Sequence, residues 1–109
     1  MILLAFDVDG TLSTSAGPVP FDLLLVLGDE TLPAVAVAVV SPSAAWPKDK
    51  FPWLDRATGN RVADLRHFVD EHPGALVRLY VSDNKDYQVA AAAGFCYIEA
   101  AEFAKGIVP

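Results

Sequence analysis

The stretch Ile2-Leu3-Leu4-Ala5-Phe6-Asp7-Val8-Asp9-Gly10-Thr11-Leu12 places five apolar residues directly before two carboxylates. An apolar run without polar interruption is typical of a strand that is covered on both faces of a parallel sheet. In open α/β sheets, ligands bind at the C-terminal ends of such strands. Asp7 and Asp9 are two positions apart, so their side chains share one face of an extended strand. The stretch therefore predicts a buried strand that ends in a candidate site.

Two readings of this stretch are open from the residues alone. Asp9-Gly10 is a common turn signal, so a strand followed by an ordinary turn gives the same pattern. Against that, two close carboxylates repel each other unless a cation or a shared proton lies between them. The carboxylate pair therefore also fits a cation site.

The composition bounds the class of protein. The chain has 109 residues, which suits a single domain over residues 1–109, and 53% of them are hydrophobic, which argues against disorder. The net charge of −6 argues against binding nucleic acid through a basic surface. A phosphorylated substrate remains compatible with this charge, because a divalent cation can supply positive charge locally.

Cys96 is the only cysteine, so no internal disulfide can form. It lies in the apolar run Phe95-Cys96-Tyr97-Ile98, which predicts a buried structural thiol rather than a nucleophile. The N-terminus has no basic region before its apolar residues, so we expect no signal peptide. No apolar stretch is long enough to span a bilayer, and we therefore expect a cytoplasmic protein without a membrane partner.

The next elements follow a turn-rich segment. Residues 21–32 are compatible with a strand or a buried helix, because periodicity does not decide between them. A parallel crossover needs a helix of about this length, Pro20 fits its first turn and Gly28 fits its end, so we predict a helix. Residues 34–40 are apolar and rich in valine, which predicts a second buried strand that ends at Ser41.

Residues 42–58 contain three prolines, Phe51 and both tryptophans, and so are too proline-rich for regular structure. A long irregular segment in a small domain is often functional. Trp46 and Trp53 could form a lid over a pocket, or they could cover one edge of the core.

The remaining residues predict three helices and two strands. Residues 60–72 have helical spacing, with Asn60 as N-cap and Pro73-Gly74 as terminator. A third strand over residues 75–81 ends in Ser82-Asp83-Asn84-Lys85-Asp86. A helix over residues 87–93, a strand over 95–98 and a terminal helix over 99–105 complete the chain.

Three stretches resemble motifs of the haloacid dehalogenase-like (HAD-like) superfamily. Residues 7–12 match its motif I, Asp-x-Asp-Gly-Thr-Leu after an apolar strand. Val39-Val40-Ser41 is similar to motif II, an apolar strand that ends in Ser or Thr. The segment from Ser82 to Asp86 resembles motif IV, whose usual form is Gly-Asp-x-x-x-Asp, although Ser82 replaces the glycine and the two acids are three apart. The chain has no room for the family's cap domain.

The resemblance and right-handed crossovers together predict the fold. We expect an α/β, Rossmann-like three-layer sandwich whose small parallel sheet has about four strands in the order 4-3-1-2. The candidate site residues then meet at the C-terminal strand ends, namely Asp7, Asp9, Ser41, Asp83 and Asp86.

The resemblance implies a Mg²⁺-dependent phosphatase that acts through an aspartyl-phosphate. Asp7 would be the nucleophile and Asp9 the general acid and base. Ser41 would donate a hydrogen bond to a phosphoryl oxygen. The implied metal ligands are Asp7, the backbone carbonyl of Asp9, and Asp83 or Asp86. The implied substrate-binding residues are Thr11, Ser41 and Lys50.

The family also places a lysine at the start of the helix before motif IV, where it balances the charge of nucleophile and phosphate. By position this residue is Arg61, which keeps the charge but changes its geometry. Lys48 and Lys50 are alternatives, reaching in from the preceding loop. The two acids of motif IV also leave their roles open, and Asp83, nearest the strand end, is our first choice as metal ligand.

Two further functions compete with the phosphatase. The irregular motif IV and the replaced lysine favour a catalytically weak or inactive domain that serves as a binding or assembly module. A phosphatase of nucleic-acid ends is disfavoured by the acidic charge. Capless members of the family generally have open sites and often act on large phosphorylated substrates, or use loops or neighbouring subunits as covers. The resemblance is therefore compatible with a large substrate and with a homo-oligomer.

Overall fold

A computed structural model describes residues 1–27, 34–41, 43, 46 and 52–107. Within these residues it contains the strands β1 (Ile2–Phe6), β2 (Val35–Val39), β3 (Val77–Ser82) and β4 (Cys96–Glu99). The helices are α1 (Phe21–Leu27), α2 (Arg61–Glu71), α3 (Tyr87–Ala93) and α4 (Ala100–Ile107), with a short 3₁₀ turn at Ser13–Ser15.

The four strands form one parallel sheet in the order β2-β1-β3-β4. Each strand therefore has the neighbours that the predicted order 4-3-1-2 gives it when the sheet is read from the opposite edge. Ile2 pairs with Val35 on one side and with Val77 on the other, so β1 lies inside the sheet. This register brings the C-terminal ends of β1, β2 and β3 to one edge of the sheet.

Both faces of the sheet are covered, as the apolar runs predict. Side chains alternate along each strand, so Leu4 and Phe6 face one core and Leu3 and Ala5 face the other. The first core includes residues of α1 and α4, and the second includes residues of α2 and α3. Each fully buried Leu or Phe contributes about 1.5–3 kcal/mol relative to an exposed one. The result is the predicted three-layer α/β arrangement.

The start of α2 is fixed by side-chain hydrogen bonds. The Asn60 side chain accepts from the Ala63 N–H at 3.0 Å, which confirms the predicted N-cap. Buried Asp64 accepts from the N–H of Thr58 at 2.9 Å and from its hydroxyl at 2.5 Å. These bonds tie the preceding loop to the helix, so Arg61 is held as the first residue of α2.

A short segment of the loop before α2 pairs with the outer edge of β2. The Val39 N–H donates to Leu54 O at 2.7 Å, and the Arg56 N–H donates to Val39 O at 2.8 Å. The Arg56 guanidinium in turn forms an ion pair with Glu71 at the end of α2. Arg56 thereby joins the loop both to the sheet and to α2.

Cys96 corrects one prediction, because the thiol is exposed and not buried. It opens β4, which lies at an edge of the sheet and pairs only with β3. Neighbouring Phe95 is buried. The first residue of an edge strand has fewer neighbours to cover it than a residue of an inner strand, and composition alone does not show this position.

For two helices, the described bounds are not those predicted. The helix predicted over residues 21–32 is described as far as Leu27, and Gly28 lies outside the described residues. The terminal helix begins one residue later than predicted, because Glu99 still belongs to β4.

None of the helices in the described part of the chain is both long and apolar enough to cross a membrane.

Candidate functional site

Asp7 is held in a buried position directly after β1. Its N–H still donates to Val81 O at 3.0 Å, so its backbone continues the sheet. Its carboxylate is 1% exposed and accepts from the Val8 N–H at 2.8 Å and from the Asn84 side-chain amide at 3.0 Å. The Ser41 side chain, buried at the end of β2, forms a further hydrogen bond to it. A buried carboxylate requires such partners, and this one has them from three strand ends.

The pKa of Asp7 is raised above its ordinary value of 3.8, chiefly because burial disfavours the charged form. The hydrogen bonds from Ser41 and Val8 oppose this rise, as does the positive charge of Arg61. The negative charge of Asp83 adds to the rise. Asp7 is therefore a buried carboxyl group between a cationic and an anionic neighbour.

The turn after Asp7 brings Gly10 and Thr11 against the residues that follow β3. Val8 O accepts from the N–H groups of Thr11 at 3.1 Å and Leu12 at 3.0 Å. Gly10 has φ +72°, and a β-carbon at this position would overlap the carboxylate of Asp83. The buried hydroxyl of Thr11 donates to that same carboxylate at 3.5 Å. Asp83 thus lies against the turn that follows Asp7.

Asp9 differs from Asp7 in its exposure to solvent. Asp9 is exposed, and its carboxylate accepts from the Ser43 hydroxyl at 2.6 Å. Ser43 belongs to the segment that follows β2, so this bond joins the ends of β1 and β2. A carboxylate that is open to solvent and held at one oxygen is suited to exchange protons with a substrate or with water.

Arg61 and Asp86 form an ion pair beside Asp7. A guanidinium nitrogen of Arg61 lies 2.8 Å from an oxygen of Asp86, and both side chains are partly buried. The same oxygen accepts from Ser82 Oγ at 2.9 Å and from the Tyr80 hydroxyl at 3.4 Å. Burial raises the pKa of Tyr80, so its hydroxyl stays protonated and can donate. One oxygen of Asp86 is therefore engaged by three protein donors.

The two acids of motif IV are thus placed differently. Asp83 lies against the turn at Gly10 and its charge raises the pKa of Asp7, whereas Asp86 forms an ion pair with Arg61. The three-residue spacing of these acids produces this division, because Asp86 stands as N-cap of α3 while Asp83 remains at the strand end. Asp83 stays the first candidate ligand as a prediction.

The carboxylate oxygens of Asp7 and Asp83 are the kind of ligand that a divalent cation such as Mg²⁺ prefers. Asp7 and Asp83 bring two carboxylates close together, and a cation between them would relieve their repulsion. In the described part of the chain, no three His, Cys, Asp or Glu side chains are grouped for a metal ion. Main-chain oxygens and water would therefore have to complete the six oxygen ligands that Mg²⁺ prefers.

The structure describes only some of the residues that were predicted to act from the loop at 42–58. Lys48 and Lys50 lie outside the described residues. Trp46 is buried at 4% exposure and packs edge-to-face against Phe21, with ring centroids 5.7 Å apart. Trp53 is 51% exposed. The position of Trp46 fits the interpretation as a core edge, while the lid formed by both tryptophans stays a prediction.

Three polar residues of the site were given no role in the sequence analysis. Asn84 donates to Asp7, Ser43 donates to Asp9, and Tyr97 bonds the loop that carries Asp83. Asn84 directly follows Asp83 at a strand end, and that position could have marked it as a candidate site residue in the sequence. Ser43 and Tyr97 reach the site only through the loop path and the strand order, which the sequence pattern does not contain.

Comparisons with known proteins find no family model, no curated protein and no solved structure that matches this chain. The function is therefore inferred from the residues of the site and their geometry.

Proposed function

We propose that this chain is a HAD-like, Mg²⁺-dependent phosphatase that hydrolyses phosphate monoesters through an aspartyl-phosphate on Asp7. The observation that carries the proposal is the grouping at one sheet edge of a buried Asp7 with Asp83 and Arg61, whose charges both act on the pKa of Asp7, and with Asp9 open to solvent. The motif resemblance of residues 7–12 and the parallel α/β sheet support the same conclusion.

Asp7 is the nucleophile in this proposal. One carboxylate oxygen attacks phosphorus, the new Asp7 O–P bond forms, and the bond from phosphorus to the ester oxygen breaks. The Val8 N–H and the Asn84 amide hold the carboxylate in one orientation, which keeps it ready for attack. Burial raises the pKa of Asp7, and the positive charge of Arg61 opposes this rise and so favours the ionised, nucleophilic carboxylate.

Asp9 transfers the proton in both halves of the reaction. In its protonated form it gives a proton to the leaving ester oxygen, and it then takes a proton from the water that attacks phosphorus. That second attack breaks the Asp7 O–P bond, releases inorganic phosphate and restores the Asp7 carboxylate. The Ser43 hydroxyl orients Asp9 during both steps.

Charge balance comes from Arg61 and from the cation. Arg61 is close enough to Asp7 to lower its pKa, and Asp86 holds the guanidinium by an ion pair. Mg²⁺ bound by the carboxylates of Asp7 and Asp83 and by the backbone carbonyl of Asp9 would neutralise charge on the phosphoryl group. For Ser41 and Thr11 to bind phosphoryl oxygens, their hydroxyls would have to turn away from Asp7 and Asp83, to which they donate in this structure. Lys50 stays a predicted substrate contact.

A second candidate function rests on the ion pair between Arg61 and Asp86. This contact draws part of the guanidinium away from an incoming phosphate, which favours a domain that binds a partner and turns over slowly or not at all. The intact and well-oriented Asp7 and Asp9 oppose this alternative. Hydrolysis of any phosphate monoester by the purified protein would reject the inactive binding module.

The exposure of Asp9 favours a large phosphorylated substrate, because a substituent on the ester oxygen would point to open solvent. The acidic net charge makes a nucleic-acid substrate unfavourable. Homo-oligomer formation, the absence of a membrane partner and a cytoplasmic location remain proposals from the sequence.

The deciding experiment measures phosphate release from a panel of monoesters, including a phosphopeptide and p-nitrophenyl phosphate, with and without Mg²⁺. We expect Mg²⁺-dependent turnover that disappears in Asp7→Asn, which removes the charge of the nucleophile and little volume. Full turnover in Asp7→Asn would exclude the aspartyl-phosphate. Lys105→Gln is the matched control, since Lys105 pairs with exposed Glu102 on α4.

A further inference from the structure

The loop from Ser82 to Asp86 contains one residue in an unfavourable backbone conformation. Lys85 has φ +54°, a left-handed conformation that is unfavourable for a residue with a side chain. This loop places the Asp83 carboxylate against Gly10, where its charge acts on Asp7, and the Asn84 amide in a hydrogen bond to Asp7. Such a conformation persists only where surrounding groups hold it.

The Tyr97 hydroxyl is the group that touches this loop at several points. It accepts from the Lys85 N–H at 3.0 Å, and it lies 2.9 Å from the main-chain oxygen of Ser82 and 3.1 Å from Ser82 Oγ. It also lies 2.9 Å from a carboxylate oxygen of Glu99. Tyr97 therefore bonds both the first residue of the loop and its left-handed residue.

The ring of Tyr97 is held in place independently of its hydroxyl. It packs against the ring of Tyr80 with centroids 6.2 Å apart and against that of Tyr87 with centroids 4.6 Å apart. Burial raises the pKa of Tyr97, so the hydroxyl keeps its proton and donates to Ser82 or Glu99. Removing the hydroxyl alone should leave these aromatic contacts unchanged.

We propose that Tyr97 is a positioning residue, whose hydroxyl holds the loop from Ser82 to Lys85 in the conformation that presents Asp83 and Asn84 to Asp7. The effect on catalysis rests on the proposed phosphatase function, whereas the effect on the loop does not. Tyr97 touches neither the substrate nor Asp7. It acts across the sheet, from the edge strand β4 through the end of β3.

The test compares Tyr97→Phe with Tyr87→Phe in the metal-free protein. Amide hydrogen exchange of Lys85 is followed by NMR, and we expect it to be roughly five- to tenfold faster in Tyr97→Phe, the size set by one net hydrogen bond. Tyr87→Phe is the matched control, because it removes a neighbouring exposed hydroxyl and keeps the ring contact. Equal exchange of the Lys85 amide in wild type and Tyr97→Phe would overturn the proposal.

A second measurement separates positioning from general loss of stability. Mg²⁺ titration by calorimetry should show affinity weakened several-fold in Tyr97→Phe and unchanged in Tyr87→Phe. If the wild-type protein hydrolyses an ester, Tyr97→Phe should raise the Mg²⁺ concentration needed for half-maximal activity and leave the KM for the ester unchanged. An unchanged Mg²⁺ affinity together with a lower unfolding temperature would reduce Tyr97 to a structural residue.

The outcomes for the two proposals are distinguishable. If the wild-type protein hydrolyses no ester, the phosphatase proposal fails, and the Lys85 exchange rate still decides the role of Tyr97. If Tyr97→Phe does not fold, exchange in the wild-type protein decides instead. An unprotected Lys85 amide there contradicts the proposed hydrogen bond, and a protected one supports it.

Discussion

Replacing Gly10 by alanine should damage both the stability of the protein and the proposed cation site. Two independent features of the structure lead to this expectation. Gly10 has φ +72°, and a β-carbon there would overlap the Asp83 carboxylate. The substituted side chain would therefore strain the backbone and also push the facing acid away from Asp7.

The two effects can be separated by a matched variant. Gly59 also has a positive φ, +98°, but a β-carbon there would meet nothing within 4 Å. Gly59→Ala should therefore lose only the backbone part, about 1–2 kcal/mol of unfolding free energy. Gly10→Ala should lose at least this amount. Only Gly10→Ala should also weaken Mg²⁺ binding, by roughly 10–100-fold, since its Asp83 carboxylate is displaced.

Urea unfolding gives the free energies, and calorimetric Mg²⁺ titration of the folded variants gives the affinities. A loss of 1 kcal/mol should lower Tm by roughly 4–8 °C in a domain near this size, so thermal unfolding is an independent check. Equal Mg²⁺ affinity in Gly10→Ala and Gly59→Ala would refute the contact between Gly10 and Asp83 as a determinant of the site.

Three further predictions concern the acids. Asp7→Asn should be more stable than wild type at neutral pH without Mg²⁺: burial raises the pKa of Asp7 above 3.8, so ionisation destabilises the fold as pH rises through that pKa. Thermal unfolding from pH 3 to pH 8 should show the difference shrinking towards low pH, and a difference independent of pH would contradict the burial of charge. Asp9→Asn should slow turnover by roughly 10²–10⁴-fold in steady-state assays, and an unchanged rate would remove Asp9 as acid and base. Asp83→Ala should weaken Mg²⁺ binding more than Asp86→Ala, as measured by calorimetry, and the reverse order would reassign the ligand.

The elements that were predictable are those with a local physical cause. The apolar run from Ile2 to Phe6 and the valine-rich run before Ser41 have no polar side that could face water. Both were therefore predicted as strands that are covered on both faces of the sheet. Asn60 supplies an acceptor for an N–H that the helix cannot satisfy itself, so the start of α2 was visible as well. The meeting of Asp7 and Asp83 followed from parallel strands ending at one edge.

What escaped prediction depends on contacts between residues distant in sequence. The pairing of Asp86 with Arg61 requires α2 and α3 to lie on the same face of the sheet, and no motif spacing states which acid turns towards the cation. Cys96 was predicted to be buried because its neighbours are apolar, yet it opens an edge strand. The Tyr97 hydroxyl contacts Ser82 and Lys85 only because β4 lies beside β3.

The pairing of the segment around Asp55 with Val39 limits how a protein substrate could approach. Both main-chain groups of Val39 on the outer edge of β2 are taken, by Leu54 O and by the Arg56 N–H. A phosphorylated peptide therefore cannot add to the sheet as an extra strand at this corner, which is a common mode of peptide recognition. In the proposed phosphatase, a phosphopeptide would then reach the site without main-chain pairing to Val39. Recognition would then depend on the phosphate and its nearest side chains, and little on the extended sequence around it.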